Sequence, residues 1–178
     1  MTEAVHTALY EALCSCLGLN PSSAEAASRI APAYAEPENP VRPPRNRNIL
    51  YYALEKEETP DGWALAYPGA VNPATSPSSS VFCVSCYLLT VICYGPDAES
   101  TALKIRANLF LDEPRRILRR ADVFPVPGAA QPAVLHEEEG SLWRLRADVT
   151  IPVRITTLLP VAASPALQHP PKIVLNRD

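Results

Sequence analysis

The sequence predicts an α+β domain: a small, mainly antiparallel β-sheet with helices packed on one face, a long hairpin loop and proline-rich arms. Three observations carry this prediction. Apolar residues recur at helical spacing in two bounded stretches, 5–17 and 98–109, while 81–94 and 143–153 have strand character. The 178-residue chain also holds 20 Pro and 6 Gly, where average usage would give roughly nine and twelve. Pro breaks helix interiors, which excludes a bundle of long helices, and scarce Gly argues against a glycine-rich phosphate loop. A net charge of −3 disfavours a DNA-coating protein, which needs a basic excess to neutralise phosphates.

Taken in order, Val5, Ala8, Leu9, Ala12, Leu13, Cys16 and Leu17 recur three and four apart, with Thr2 as a cap and Gly18 just past the end. They form an amphipathic first helix. Residues 20–44 dissolve into Ser, Ala, Glu and repeated Pro, an extended connector with one weak helical turn near 24–30. Aromatic and branched content makes 48–55 a strand, and 81–94 a longer, more buried one. Between them, 57–80 reads as a long loop rich in Pro, Gly and Ser. A hairpin arm that orders against a partner would use Trp63 and Tyr67 as anchors. An insertion whose aromatics merely cover a sheet edge accounts for the loop equally well.

Gly95-Pro96-Asp97 turns the chain into a second helix with the stripe Ala98, Ala102, Ile105 and Leu109, and Pro114 forbids its continuation. A third strand is expected through 117–126, at a sheet edge because of Pro125. Glu137, Glu138 and Glu139 read as a solvated acidic loop, or alternatively as a patch for a partner's arginines. In the last strand Trp143, Leu145, Ala147, Val149, Ile151 and Val153 alternate with Arg144, Arg146, Asp148, Thr150 and Pro152. One face should be apolar and the other charged. Residues 1–157 thus make a single domain, and 158–178 an extended C-terminal arm.

Little in the chain suggests chemistry. No basic leader precedes an apolar block, so no signal peptide is expected, and the apolar run 81–93 is short of the roughly twenty residues that span a bilayer. Five Cys, an odd count, fit reduced thiols in a cytosolic setting. Cys83 and Cys86 have the spacing of a redox or zinc half-site, but on a strand they face opposite sides, and no second pair follows. No nucleophile elbow, zinc-protease helix or phosphate loop occurs. The chain is therefore not read as an enzyme, and neither cofactor nor metal is expected.

The candidate residues are interfacial. Arg115, Arg116, Arg119 and Arg120 form the strongest basic feature. Ion pairing between subunits, a solvated face and nucleic-acid contact all remain open for it, although no interleaved aromatics offer base stacking. Arg144 and Arg146 share a strand face that is either wet or matched across an interface. Trp63 and Tyr67 complete the set.

Residues 89–106 (LTVICYGPDAESTALKIR) are a strand ending in aromatic-Gly and then a helix with spaced Ala and Ile. A Val-Phe-Pro turn at 123–125 and WRLRAD at 143–148, which opens an alternating strand, follow. With the order of elements across 2–157, this resembles the bacteriophage neck or tail terminator proteins. The resemblance implies a non-enzymatic virion protein, made and assembled in the host bacterial cytoplasm. It would form a homo-oligomeric ring, usually a hexamer, at the head-proximal end of the tail tube and stop tube polymerisation there. Its implied partners are other copies of itself, the tail-tube protein and a head-side connector or stopper. DNA would pass through the lumen without sequence-specific binding, and no membrane would be involved. Residues 20–44, 57–80 and 158–178 depart from the family pattern, so contacts made by them do not carry over. A reading from another class is a small nucleic-acid-binding or packaging accessory protein that uses the arginines at 115–120.

Overall fold

A computed structural model describes residues 3–33, 46–57, 62–66, 79–139 and 142–161, without the side chains of 62–66, 79–82, 139, 142 and 158–161. Its chain runs α1 (Glu3–Leu17), α2 (Ala24–Arg29), β1 (Ile30–Pro32), β2 (Ile49–Lys56), β3 (Gly62–Ala66), β4 (Ser79–Tyr94), α3 (Ala98–Asn108), α4 (Asp112–Arg119), β5 (Val123–Pro125), β6 (Ala133–Glu139) and β7 (Leu142–Val161). This is an α+β fold on one seven-stranded sheet.

Two long strands form its spine. β4 and β7 pair antiparallel without a break, from Ser79↔Val161 to Tyr94↔Arg146. Shorter strands line both flanks end to end. Beyond β4, β2 covers residues 87–94 and β3 covers 80–84. Beyond β7, β6 covers 142–148 and β5 covers 153–155. The only parallel pairing among the described residues is β1 on β2.

Alternation along the spine decides which face is covered. Leu89, Val91 and Cys93 of β4, Ala147, Val149, Ile151 and Val153 of β7, and Leu50 and Tyr52 of β2 share one face and are buried. Leu9, Leu13, Ala102, Ile105, Leu109 and Leu118 from the helices join them in one core cluster. The opposite face carries partly exposed residues, among them Tyr51, Leu88, Ile92, Thr150 and Pro152. The helices therefore pack on one face, as the sequence predicts.

Helix α1 ends as a Schellman motif does: Leu19 N donates to Cys14 O at 2.9 Å and Gly18 N to Ser15 O at 3.1 Å, with Gly18 at φ 68°. Between β4 and α3 the chain turns at Gly95, φ 118°, where a Cβ would lie 2.6 Å from Arg47 O. Asn48 closes this turn, donating to Asp97 Oδ2 at 2.9 Å and accepting from Asp97 N at 3.0 Å. Pro152 sits inside β7 at no cost in hydrogen bonding. Its carbonyl accepts from Val126 N, so its missing N–H faces the gap between β6 and β5 rather than β4.

Five expectations differ from the observed structure. The strand expected through 117–126 is helix α4 as far as Arg119 and a strand only over 123–125. Pro114, Ile117 and Leu118 are buried at helical spacing, and Asp112 and Glu113 open the helix while Arg116 and Arg119 close it, the order its dipole favours. The connector contains, besides its helical turn, the strand β1, while 34–45 lie outside the described residues. The loop 57–80 contains β3, so Trp63 stands in a strand paired with Cys83 rather than in a loop. The acidic stretch before the last strand is β6, hydrogen-bonded to β7 through Glu139↔Leu142. β7 itself continues to Val161, past the boundary expected at 157. The division into a domain and an arm otherwise concerns residues outside those described.

Cys83 is buried and Cys86 half-buried on opposite faces of β4. Burial pushes the Cys16 and Cys93 thiols up to about 12. Among the described residues no His, Cys, Asp and Glu cluster could hold a metal ion, and no helix is long and apolar enough to cross a membrane.

Two predictions follow from this packing. Gly95→Ala should destabilise the fold by about 2–4 kcal/mol, because a disfavoured φ and a backbone clash add. Gly128→Ala, at φ 115° in open space, should cost clearly less in the same urea titration. The raised thiols set a pH window as well. Cys16 and Cys93 contribute fully below the ordinary thiol range, and that contribution is lost as pH rises towards about 12, because the unfolded chain ionises first. The urea midpoint should therefore fall between pH 8 and pH 11, and fall less steeply in Cys93→Ala.

Candidate interfaces at the two ends of the sheet

Strand β7 outruns its neighbour. β4 ends at Tyr94, opposite Arg146, so beyond a bond from Gly95 N to Leu145 O at 3.3 Å, residues 142–145 are paired only with β6. The two strands leave the sheet there as a ribbon. On the helix-side face of this ribbon, Trp143 lies opposite Glu138 and is 66% exposed, because the helical layer does not reach it. Val134 and Leu135 of β6 are exposed too.

The other face of the ribbon gathers charge around one ring. The Arg144 guanidinium lies 4.5 Å from the centroid of Tyr94 and that of Arg146 lies 5.7 Å away. Arg146 grips Asp148 with two bonds, Nε to Oδ1 at 2.8 Å and Nη2 to Oδ2 at 2.7 Å, and has Glu137 Oε2 at 3.7 Å. The hydrogen bond from Asp148 raises the Arg146 pKa above its ordinary value, against a smaller opposing effect of burial. Burial, then the hydrogen bond to Glu137, pushes the Tyr94 phenol up to about 12, with Arg146 opposing. This cluster is neutralised and held; it is not a free binding surface.

Arg144 is the exception. It is 8% exposed, and its Nε and Nη2 are buried without a hydrogen-bond partner among the described residues. Those two nitrogens form the edge with which Arg146 holds Asp148 and Arg116 holds Glu113. In Arg144 that edge meets only the stacked tyrosine and its packing neighbours. The expected placement of Arg144 on an open charged face, with Trp143 on the buried face, is thus inverted. The alternation of side chains is as expected, but at the ribbon the inward face has no helices over it and the outward face is covered.

The opposite end of β7 carries α4. Thr156 N donates to Asp122 O at 3.0 Å and Val123 pairs with Ile155, which fixes the end of the helix some thirteen residues along β7 from Trp143. At about 3.3 Å per residue this is roughly 40 Å. Of the four arginines, Arg116 is committed to Glu113 through Nε at 2.9 Å and Nη2 at 2.6 Å. Arg115, Arg119 and Arg120 are exposed, and no carboxylate of the described residues pairs with them. Between α1 and α4 lies a cleft of about 440 Å³ with Ala8 and Ile117 at its floor and Glu3, Ala4, Thr7, Glu11, Arg120 and Ala121 around it.

The structure thus divides the eight candidate residues. Arg144 and Arg146 share the Tyr94 cluster, the four arginines share α4 at the far end, Trp63 lies in β3 with its side chain undescribed, and Tyr67 lies outside the described residues. Trp143 and Glu138 were missed. The signal for both was present, since an alternating strand beginning with Trp needs a partner along its whole length, and the preceding seven residues are the nearest segment that can hairpin onto it. No protein-family model and no curated protein matches the chain.

Because the Arg144 edge is unpaired, Arg144→Met should leave stability unchanged or raise it slightly. Arg146→Met removes both bonds to Asp148 and should lower stability by about 1–3 kcal/mol. Parallel urea unfolding of the two variants reads the difference; equal losses would mean that Arg144 is paired in solution.

Proposed function

We propose that this chain is a structural virion subunit. It would form a closed homo-oligomeric ring, of six copies in the family it resembles, at the head-proximal end of a phage tail. There it would end tail-tube polymerisation and join the tube to the head-side connector. The observation that carries this reading is the polarity of the fold: a ribbon with an exposed tryptophan at one end and unpaired arginines at the other. Unlike ends on one molecule favour head-to-tail contacts, which make rings when the rotation closes. The net charge of −3 suits a lumen that lets DNA pass without gripping its phosphates.

The unpaired Arg115, Arg119 and Arg120 also favour a second reading, a nucleic-acid-binding or packaging accessory protein. One set of measurements separates the two. Light scattering and negative-stain imaging should show rings, and those rings should decorate one end of isolated tail tubes. Duplex DNA binding should be weak at about 50 mM salt and absent at about 200 mM. A persistent monomer that binds DNA with a steep salt dependence would reverse the choice.

A further inference from the structure

Where β4 stops, the edge of β7 that would have met it is left open. Gly95 N still donates to Leu145 O at 3.3 Å, so Leu145 turns its backbone carbonyl to that side. Trp143, two residues away on the same strand, directs its N–H to the same edge. A pocket of about 370 Å³ occupies this edge, bounded by the turn residues Gly95 and Pro96, the strand residues Trp143, Arg144 and Leu145, and Asn46. That volume falls in the range of small-ligand pockets.

Arg144 brings a charge to this lining, and no carboxylate of the described residues shares it. The side chain is only 8% exposed, yet its Nε and Nη2 have no hydrogen-bond partner among the described residues. The carboxylate directly across the strand pair, Glu137, lies against Arg146 and Tyr94 instead. Asp148 is held by Arg146, and Asp97 by Asn48. The neighbouring acids are thus engaged elsewhere, while the guanidinium that lines the pocket has an unused edge. Both nitrogens are sealed from solvent, so a ligand meets them when the side chain swings from the Tyr94 ring into the pocket. That movement breaks no hydrogen bond to a described residue, and it exchanges a stacking contact for charge-assisted bonds.

The chemistry of the edge selects the ligand. Arg146 and Arg116 each hold a carboxylate with the same two nitrogens, a fork that matches two coplanar oxygens. A doubly charged phosphate is a poorer match, because one guanidinium would face two charges with Glu137, Asp148 and Asp97 close by. Pro96, Trp143 and Leu145 make much of the lining apolar, which suits an acid with a compact apolar body.

We propose that this pocket binds a small organic monocarboxylate, its oxygens taken by the Nε–Nη2 edge of Arg144 and its body lying along Pro96 and Leu145. The Trp143 N–H is a further donor at the same edge. The site is separate from the ring reading above, since it needs no second copy of the chain.

Benzoate is the probe, with benzamide as its neutral counterpart and inorganic phosphate as the competing anion, all at one ionic strength. In heteronuclear NMR spectra of the wild type, one arginine Nε–H signal should move on benzoate addition, with half-saturation at about 1–10 mM. That signal should be the one missing from Arg144→Lys. Benzoate should also raise the urea midpoint of the wild type. Lys keeps the charge but lacks the fork, so Arg144→Lys and Arg144→Met should both bind benzoate about tenfold or more weakly. Benzamide should produce neither effect, and phosphate should bind more weakly than benzoate. No arginine response well above that concentration, or a response confined to signals that survive in Arg144→Lys, would overturn the site. An equal response to benzamide, or a stronger one to phosphate, would overturn the assignment of a carboxylate.

Discussion

The fold depends on one unbroken antiparallel pairing. β4 and β7 are 52 or more residues apart in sequence wherever they meet, yet they stay in register from Ser79↔Val161 to Tyr94↔Arg146. Register in such a pair is set by which side chains must be buried, because a slip of one residue would turn Leu89, Val91, Ala147, Val149 and Ile151 away from the helices. Every other strand except β1, which pairs with β2, is attached directly to this pair, and β2 and β6 owe their positions to where it ends. Gly95 sits at one such end. It turns the chain so close to Arg47 that an added Cβ would lie 2.6 Å from its carbonyl oxygen, so the start of α3, the end of β4 and the approach to β2 are placed together.

The same termination shapes the ribbon. Since β4 stops at Tyr94, the last residue of the pair becomes a lid over whatever lies beyond it. Tyr94 stacks on Tyr51 edge to face at 6.1 Å and carries both Arg144 and Arg146 on its ring. A partly buried tyrosine beside two guanidinium groups and the carboxylates of Glu137 and Asp148 holds the base of the ribbon through charge and stacking rather than through an apolar core. Arg146, with two bonds to Asp148, satisfies its buried charge. Arg144 does not, and an unpaired buried donor costs about 1–3 kcal/mol, so the ribbon's base is held less tightly than its hydrogen-bond ladder suggests.

How much of this could be read in the sequence depended on whether a residue's neighbour was local. The helices α1 and α3 and the two spine strands were legible because their stripes face one common core, and spacing alone reveals that. Helix α4 was legible in principle: Pro114, Ile117 and Leu118 lie three and four apart and charge runs from Asp112 to Arg119, but four arginines with Pro125 close behind resembled an edge strand. β6 was obscured by its glutamates, which have weak strand propensity and are tolerated because this edge is solvated on both sides. Trp143 and Arg144 were the hardest. Alternation tells which residues share a face, and only the end of β4 and the reach of the helices tell what lies over that face.

Polarity along β7 links these observations to assembly. A sheet whose two ends were alike would favour a two-fold contact in which each copy presents the same patch, and growth would stop at a dimer. Here the ends differ in shape and composition: a narrow ribbon bearing Trp143 and Glu138, and a helical end bearing Arg115, Arg119 and Arg120 with Glu3 and Glu11 nearby. Contact between unlike ends leaves one of each unused after every addition, so only closure satisfies them all. Whether copies close or grow into a filament is decided by the angle between successive copies. In a head-to-tail assembly that angle would depend on the base of the ribbon, where Tyr94, Arg144 and Arg146 meet as the last residues of β6 and the first of β7 leave the sheet. In such an assembly the unpaired Arg144 would stand where a change in packing alters the direction in which the ribbon leaves the sheet.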